Sequence, residues 1–359
     1  MRKGAYILSI LALLAAVFAS PVFAQEVSPQ SLIDGAQVKA GDNPLTAANQ
    51  YKKAAPWRIG FSIWGFGNTW MTQMVHEARY EASLHPEIKQ LVFADGQSKA
   101  TKQIADIEDM IAQKVDAIVV VPISYTALTP VLKEAAKAGI PVVVHSTEIG
   151  SSDFTTELQA TGLHFGEVGG QFLVKELKGK GKIWVLRGQA GVPADTFRYK
   201  GLLKAIKGTD IKIVAEQYGD WSYNKGKRIC ESLMLSHPDV DGIWSSGGDM
   251  SRACIDVFQE FGKPIPPITG EGNNGFLKRW KETGITSMAS VFPSAQGAAG
   301  IRAAVDLLEG KQLRKHYVVL PPPITNADLD QFVRPDLSDN YWAPSSLPEN
   351  LLKKYYGIH

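Results

Sequence analysis

Residues 117–144 read AIVVVPISYTALTPVLKEAAKAGIPVVV, and the two ends of that stretch differ in kind from its middle. Ala117-Ile118-Val119-Val120-Val121 and Pro141-Val142-Val143-Val144 are unbroken apolar runs, the pattern of strands covered on both faces. Between them Ala127 to Lys137 carries apolar residues at three- and four-residue spacing, the period of a helix lying on a sheet. Strand, helix and strand make a βαβ unit, so the sheet is parallel. Upstream, Arg58-Ile59-Gly60-Phe61-Ser62-Ile63 and Gln90-Leu91-Val92-Phe93-Ala94 continue the alternation, with a helical pattern from Ala100 to Gln113. Downstream it restarts, with strands expected at Lys182 to Leu186, Ile211 to Ala215, Gly242 to Ser245, Pro266 to Thr269 and Ile285 to Ser290. One open sheet of that many strands is unusual, whereas two of about five are ordinary. The chain therefore reads as α/β with two similarly built flavodoxin-like lobes. Glu157 to His164 and Leu320-Pro321-Pro322-Pro323 are the candidate crossings between them.

The two ends are of another kind. Met1 to Ala24 has Arg2 and Lys3, an apolar stretch from Ala5 to Phe18, and Pro21-Val22-Phe23-Ala24 before Gln25. These are the three parts of a cleaved secretory signal peptide, and the apolar stretch is shorter than the ~20 residues a membrane span needs. The mature chain is expected to start at Gln25 and to be exported. Residues 25–56 are polar and lack a strong period, and Asn326 to Asn350 is rich in Asp, Asn, Ser and Pro before a short helical pattern at Leu351 to Tyr356. Both ends read as arms that wrap the surface.

Lys and Arg number 38 against 36 Asp and Glu, and loss of Arg2 and Lys3 brings the two into balance. A balanced, interspersed surface gives no footprint for nucleic acid or an anionic membrane. The seven histidines are scattered and no Cys/His spacing suits a metal.

Three motifs invite chemistry. Gly270-Glu271-Gly272-Asn273-Asn274-Gly275 matches the dinucleotide glycine pattern, but Ser290-Val291-Phe292 offers no acid at the end of the next strand to hold a ribose. The glycines serve a tight turn equally well, so no cofactor is expected. Ser245-Ser246-Gly247-Gly248-Asp249 lacks the nucleophile elbow and a placed histidine, which leaves a secreted hydrolase unsupported. The aromatics are sharper: Trp64, Phe66 and Trp70 follow the first strand and Trp221 follows the second strand of the second half, all among Gly, Asn, Asp and Ser. Indole faces beside fixed hydrogen-bonding groups suit a sugar, and Arg198 supplies a rigid donor fork.

With those residues in view the chain resembles the periplasmic sugar-binding proteins of ABC importers, of the ribose-binding-like type I group. The resemblance runs from Arg58 to Pro323 and rests on Asn68-Thr69-Trp70-Met71, Gly139-Ile140-Pro141-Val142-Val143, Gly188-Gln189-Ala190-Gly191 through Arg198 and Gly201, Gly219-Asp220-Trp221 with Lys225-Gly226, and His237-Pro238-Asp239-Val240-Asp241-Gly242. It implies a two-lobed clamp crossed three times, near Thr161, Phe292 and Pro321. The implied division is 1–24 leader, 25–56 arm, 57–160 plus 293–320 first lobe, 161–292 second lobe, and 321–359 last crossing and arm. Such clamps close on a ligand by hinge motion.

The resemblance also implies site residues: Asn68 bonds a hydroxyl, Trp70 and Trp221 sandwich the ring, and Arg198 reaches from the second lobe. Trp64, Met71, Ser146, Asp249, Glu271 and Asn273 complete the expected ligand-binding set. Ribose binders place an Asp-Arg pair where this chain has Ser146-Thr147, an asparagine at Gly247, an aspartate in the turn written here Gly270-Glu271-Gly272-Asn273, and a glutamine at Val291. These departures point away from ribose to another pentose, a hexose or a polyol. The implied partners are that small sugar or polyol, an ABC permease and its ATPase, with the protein a periplasmic monomer, not inserted in the membrane, and no enzyme. A sensory receptor passing occupancy to a chemoreceptor or histidine kinase is the alternative. In the implied strand order Cys230 and Cys254 fall on helices covering one face, which permits a disulfide; two free buried thiols are the other reading.

Overall fold

The computed structural model describes residues 28–38 and 41–358; the expected leader and the start at Gln25 lie outside them. Helix α1 (Pro29–Asp34) and strand β1 (Gln37–Val38) precede a first series: β2 (Trp57–Ile63), α2 (Thr69–Ser83), β3 (Ile88–Asp95), α3 (Ala100–Ala112), β4 (Ala117–Val120), α4 (Thr129–Lys137), β5 (Val142–His145) and β6 (Thr156–Ala160). A second series follows: α5 (Gly162–Glu176), β7 (Lys180–Arg187), α6 (Pro193–Ile206), β8 (Asp210–Tyr218), α7 (Tyr223–Ser236), β9 (Gly242–Ser245), α8 (Gly248–Glu260), β10 (Ile268–Glu271), α9 (Asn274–Thr283) and β11 (Ser287–Ser290). The chain then runs through α10 (Gln296–Glu309), β12 (His316–Val319), α11 (Leu329–Phe332) and α12 (Glu349–Tyr356).

The strands form two sheets, one ordered β1-β12-β6-β5-β4-β2-β3 and the other β11-β10-β9-β7-β8. All pairings are parallel except β1 against β12. The fold is thus two parallel-sheet α/β lobes. Every residue of β4 and β5 is buried, as their unbroken apolar runs require.

The first sheet is larger than the five or so strands expected. Its extra members include β6 and β12, Thr-Glu-Leu-Gln-Ala and His-Tyr-Val-Val, whose polar residues left β6 legible only as part of a crossing segment and β12 not at all. Their pairing satisfies that polarity, with His316 Nδ1 2.5 Å from Glu157 Oε1 across the ladder. The chain passes between sheets after β6, after β11 and after β12, where Ile324 bridges back to Ala289 of β11.

The N-terminal arm docks on the first lobe: β1 adds an edge strand, and the Asn43 amide exchanges two hydrogen bonds with the His316 backbone. The C-terminal arm does more than wrap, burying Leu337, Tyr341, Trp342, Leu347, Leu352 and Tyr356. Cys230 of α7 and Cys254 of α8 form a disulfide with Cα atoms 5.3 Å apart. Among the described residues no helix is long and apolar enough to cross a membrane, and no His/Cys/Asp/Glu group could hold a metal ion.

Candidate ligand-binding cleft

Strand C-termini of both sheets meet at a narrow cleft. From the first lobe it is lined by Trp64, Asn68, Trp70, Met71, Val121, Ser146 and Thr147, and from the second by Val192, Ala194, Arg198, Trp221 and Glu271. Phe292 of a crossing and Trp342 of the C-terminal arm complete it.

Asn68 is first a helix cap. Its Oδ1 accepts the Met71 backbone N–H at 2.8 Å, satisfying an orphan donor of α2 and leaving the Nδ2 group as the one able to donate to a ligand. Ser146, just past β5, adopts a left-handed φ of 65° and pairs its hydroxyl with His145 Nδ1 at 2.8 Å. Burial pushes His145 down to about 3, so that ring is neutral.

Trp221 is held in a costlier way. Asp220 and Trp221 both have φ of 54°, a region that bulky residues rarely adopt, and the resulting sharp turn after β8 brings the indole back over the strand ends. Its Nε1 donates to the Ser246 carbonyl at 3.0 Å. Two glycines make room for the ring: a Cβ at Gly188 would lie 2.1 Å from it and one at Gly247 2.6 Å. The asparagine that the resemblance led one to expect at Gly247 is absent because the indole fills its place.

Arg198 is buried, its guanidinium 3.8 Å from the Phe165 ring centre and 4.6 Å from that of Phe292. Nη1 donates to the Ser246 carbonyl, and Nη1 and Nη2 meet Glu271 Oε2 and Oε1 at 3.2 and 3.3 Å. Burial pushes the Glu271 carboxyl up to about 7 against the pull of that guanidinium. The height of Arg198 is fixed by a close approach of α5 and α6, where a Cβ on Gly166 would stand 1.7 Å from the Arg198 carbonyl oxygen and one on Gly201 2.1 Å from that of Leu163.

The lobes are closed on one another. Trp64 faces Trp221 with ring centres 6.4 Å apart and planes at 45°, and Thr69 Oγ1 donates to Asp249 Oδ2 at 2.8 Å. Eight of the ten residues expected at the site line the cleft; Asp249 and Asn273 do not. Asp249 lies in an adjoining groove between Thr69 and Arg252, and its carboxyl is raised, chiefly by burial. Asn273 is consumed by structure: Oδ1 caps α9 through the Phe276 N–H, and Nδ2 donates to the Asp339 carbonyl.

The expected Trp70–Trp221 sandwich is also revised. Trp70 tilts against Phe292 at 5.4 Å and donates to its carbonyl, so the indole opposite Trp221 is that of Trp64. Sequence reasoning missed Phe292 and Trp342. The first sits in a crossing read for the glutamine that Val291 replaces, and a lone tryptophan in a polar tail carries no periodic signal.

A family model described as a periplasmic binding protein domain matches residues 59–312. The chain belongs to the periplasmic binding protein family, whose members bind substrates rather than transform them. It is 26% identical over 257 residues to the ribose import binding protein of Bacillus subtilis, covering 72% of this chain and 83% of that one. It is 34% identical over 217 residues to the galactofuranose-binding protein of Escherichia coli, covering 58% and 68% respectively. Among solved structures, the binding component of the arabinose ABC transporter of Shewanella sp. ANA-3, bound to α- and β-L-arabinofuranose, superposes with a TM-score of 0.69 at 27% identity over 76% of this chain and 93% of that one.

Proposed function

We propose that this protein is an exported, periplasmic solute receptor that captures a small carbohydrate, a pentose, hexose or polyol, between its lobes and delivers it to an ABC permease. The observation that carries the reading is the pair Trp64 and Trp221, one from each lobe, tilted against each other with ring centres 6.4 Å apart in a cleft whose polar groups are few and fixed: Asn68, Ser146, Thr147, Arg198 and Glu271. Indole faces take the C–H faces of a sugar while the fixed polar groups take its hydroxyls. The names of its relatives, which bind ribose and galactofuranose, support the same class.

A ligand touched by both lobes favours the closed state, because only differential affinity shifts such an equilibrium. The permease then reads closure. Asp249 and Asn273 act as supports in this reading, the former by bridging lobes through Thr69.

A thermal-shift screen of the mature protein against pentoses, hexoses and polyols tests it. A ligand at a hundred times its Kd adds about 2.7 kcal/mol to apparent stability, several degrees in Tm. No shift with any member of the panel, or conversion of a sugar to product, refutes the reading.

A further inference from the structure

We infer that the C-terminal segment, residues 333–357, is a working part of the clamp: it latches the lobes together and presents Trp342 to the ligand as a selecting wall. The inference rests on the reading of the cleft as a ligand site, and the segment lies beyond the 59–312 matched by the family model.

Its hold on the second lobe is through backbone. Asn274 Oδ1 accepts the Arg334 N–H at 2.9 Å, and its Nδ2 donates to the carbonyls of Arg334, Leu337 and Ser338. The Asn274 N–H bonds the Tyr341 carbonyl at 2.8 Å and the Ala343 N–H bonds that of Gly272 at 2.7 Å. Gly272 permits this contact, since a Cβ there would stand 2.0 Å from the Ala343 oxygen. Asp339 adds ion pairs to Arg252 and Lys278.

Its hold on the first lobe is through side chains of α2, among them His76, which pairs with the Tyr356 hydroxyl at 3.1 Å and stacks on the Tyr355 ring at 4.1 Å. Gln73 brackets Trp342, donating to its carbonyl at 2.7 Å and accepting its N–H at 2.8 Å. Glu77, fully buried, accepts from Ser345 Oγ, Ser346 N and Ser346 Oγ, besides Gln73 and Ser294. The Trp342 indole donates to Thr69 Oγ1, the same hydroxyl that bonds Asp249 across the lobes.

The bonds to the second lobe outnumber those to α2. When the lobes part, the strap stays with the second lobe and the α2 contacts break, which strips Glu77 of three donors but opens it to water, and withdraws Trp342 from the cleft wall. A buried carboxylate re-solvated on opening makes the latch reversible, since each bond lost is replaced by one to water.

Two measurements test this. Labels at the exposed Leu84 and Leu235, one on each lobe, report the inter-lobe distance in ligand-free protein. Glu77→Ala, and separately the strap variant Ser345→Ala/Ser346→Ala, are expected to move that distribution to longer distances. Trp342→Ala is expected to change the ratio of affinities between the best two sugars of the panel by tenfold or more. Unchanged distances in both latch variants, or wild-type affinities and rank order in Trp342→Ala, overturn the inference. If no sugar binds the wild type, the carbohydrate reading falls while the distances still decide the latch.

Discussion

Replacing Arg198 by Met keeps an aliphatic stem between Phe165 and Phe292 but removes both bonds to Glu271, the bond to the Ser246 carbonyl, and the charge that compensates a carboxylate only 3% exposed. The cost has two parts. The Ser246 carbonyl loses one donor but keeps the Trp221 indole N–H, a loss worth about 0.5–1.5 kcal/mol at any pH. The second part depends on pH. Glu271 is raised from 4.5 to about 7, so its proton stabilises the fold fully below 4.5 and that contribution is lost as pH rises. In wild type the loss ends near 7; without the guanidinium the folded pKa rises further and the loss continues, at about 1.4 kcal/mol per pH unit. The gap between variant and wild type is therefore nearly flat between pH 5.5 and 6.5 and widens by about 1 kcal/mol between pH 7 and 8, where the wild-type carboxyl is still finishing its own titration. Urea unfolding across that range measures it, with Arg198→Met/Glu271→Gln as the control in which the widening disappears. A gap that stays the same from pH 5.5 to 8 would refute the reasoning. The ion pair with Glu271 thus makes Arg198 a support of the fold as well as a candidate ligand contact.

Asn68→Ser keeps a cap for α2 but removes the amide donor, so Tm should hold within a degree or two while sugar affinity falls at least tenfold; a lowered Tm with intact affinity counts against the assigned role. Gly188→Ala drives a methyl into the Trp221 ring and should cost about 1–3 kcal/mol in chemical unfolding, with ligand binding lost alongside. Converting Cys230 and Cys254 to Ala frees a loop closed over 24 residues of sequence and should lower stability by about 3 kcal/mol, read by the urea midpoint of the double variant.

The strands covered on both faces were readable because their burial forbids polar residues; β4 and β5 could hardly be anything else. Those with a polar face, β6 and β12, were hidden, since Glu157 and His316 satisfy each other only once the strands are paired. The cleft was legible where a residue type answers a ligand directly, as with Trp64, Trp221 and Arg198. It was opaque where a type serves two masters: Asn273 has the look of a ligand amide and is a helix cap, and Gly247 looks like a lost contact and is space for an indole. Trp342 lay beyond reach because its place depends on a tail folding back over α2.

The glycine contact of α5 with α6 has a mechanical consequence. Helix α5 begins at Gly162, directly after the first crossing, and a Cβ on that glycine would meet the Arg198 nitrogen at 3.2 Å. Arg198 is therefore seated where the chain leaves the first crossing, and its guanidinium also packs on Phe292 of the second crossing. In the proposed clamp a ligand bonded to that guanidinium would sit against the crossings themselves, so its binding would bear on the joint between the lobes as well as on the lobes.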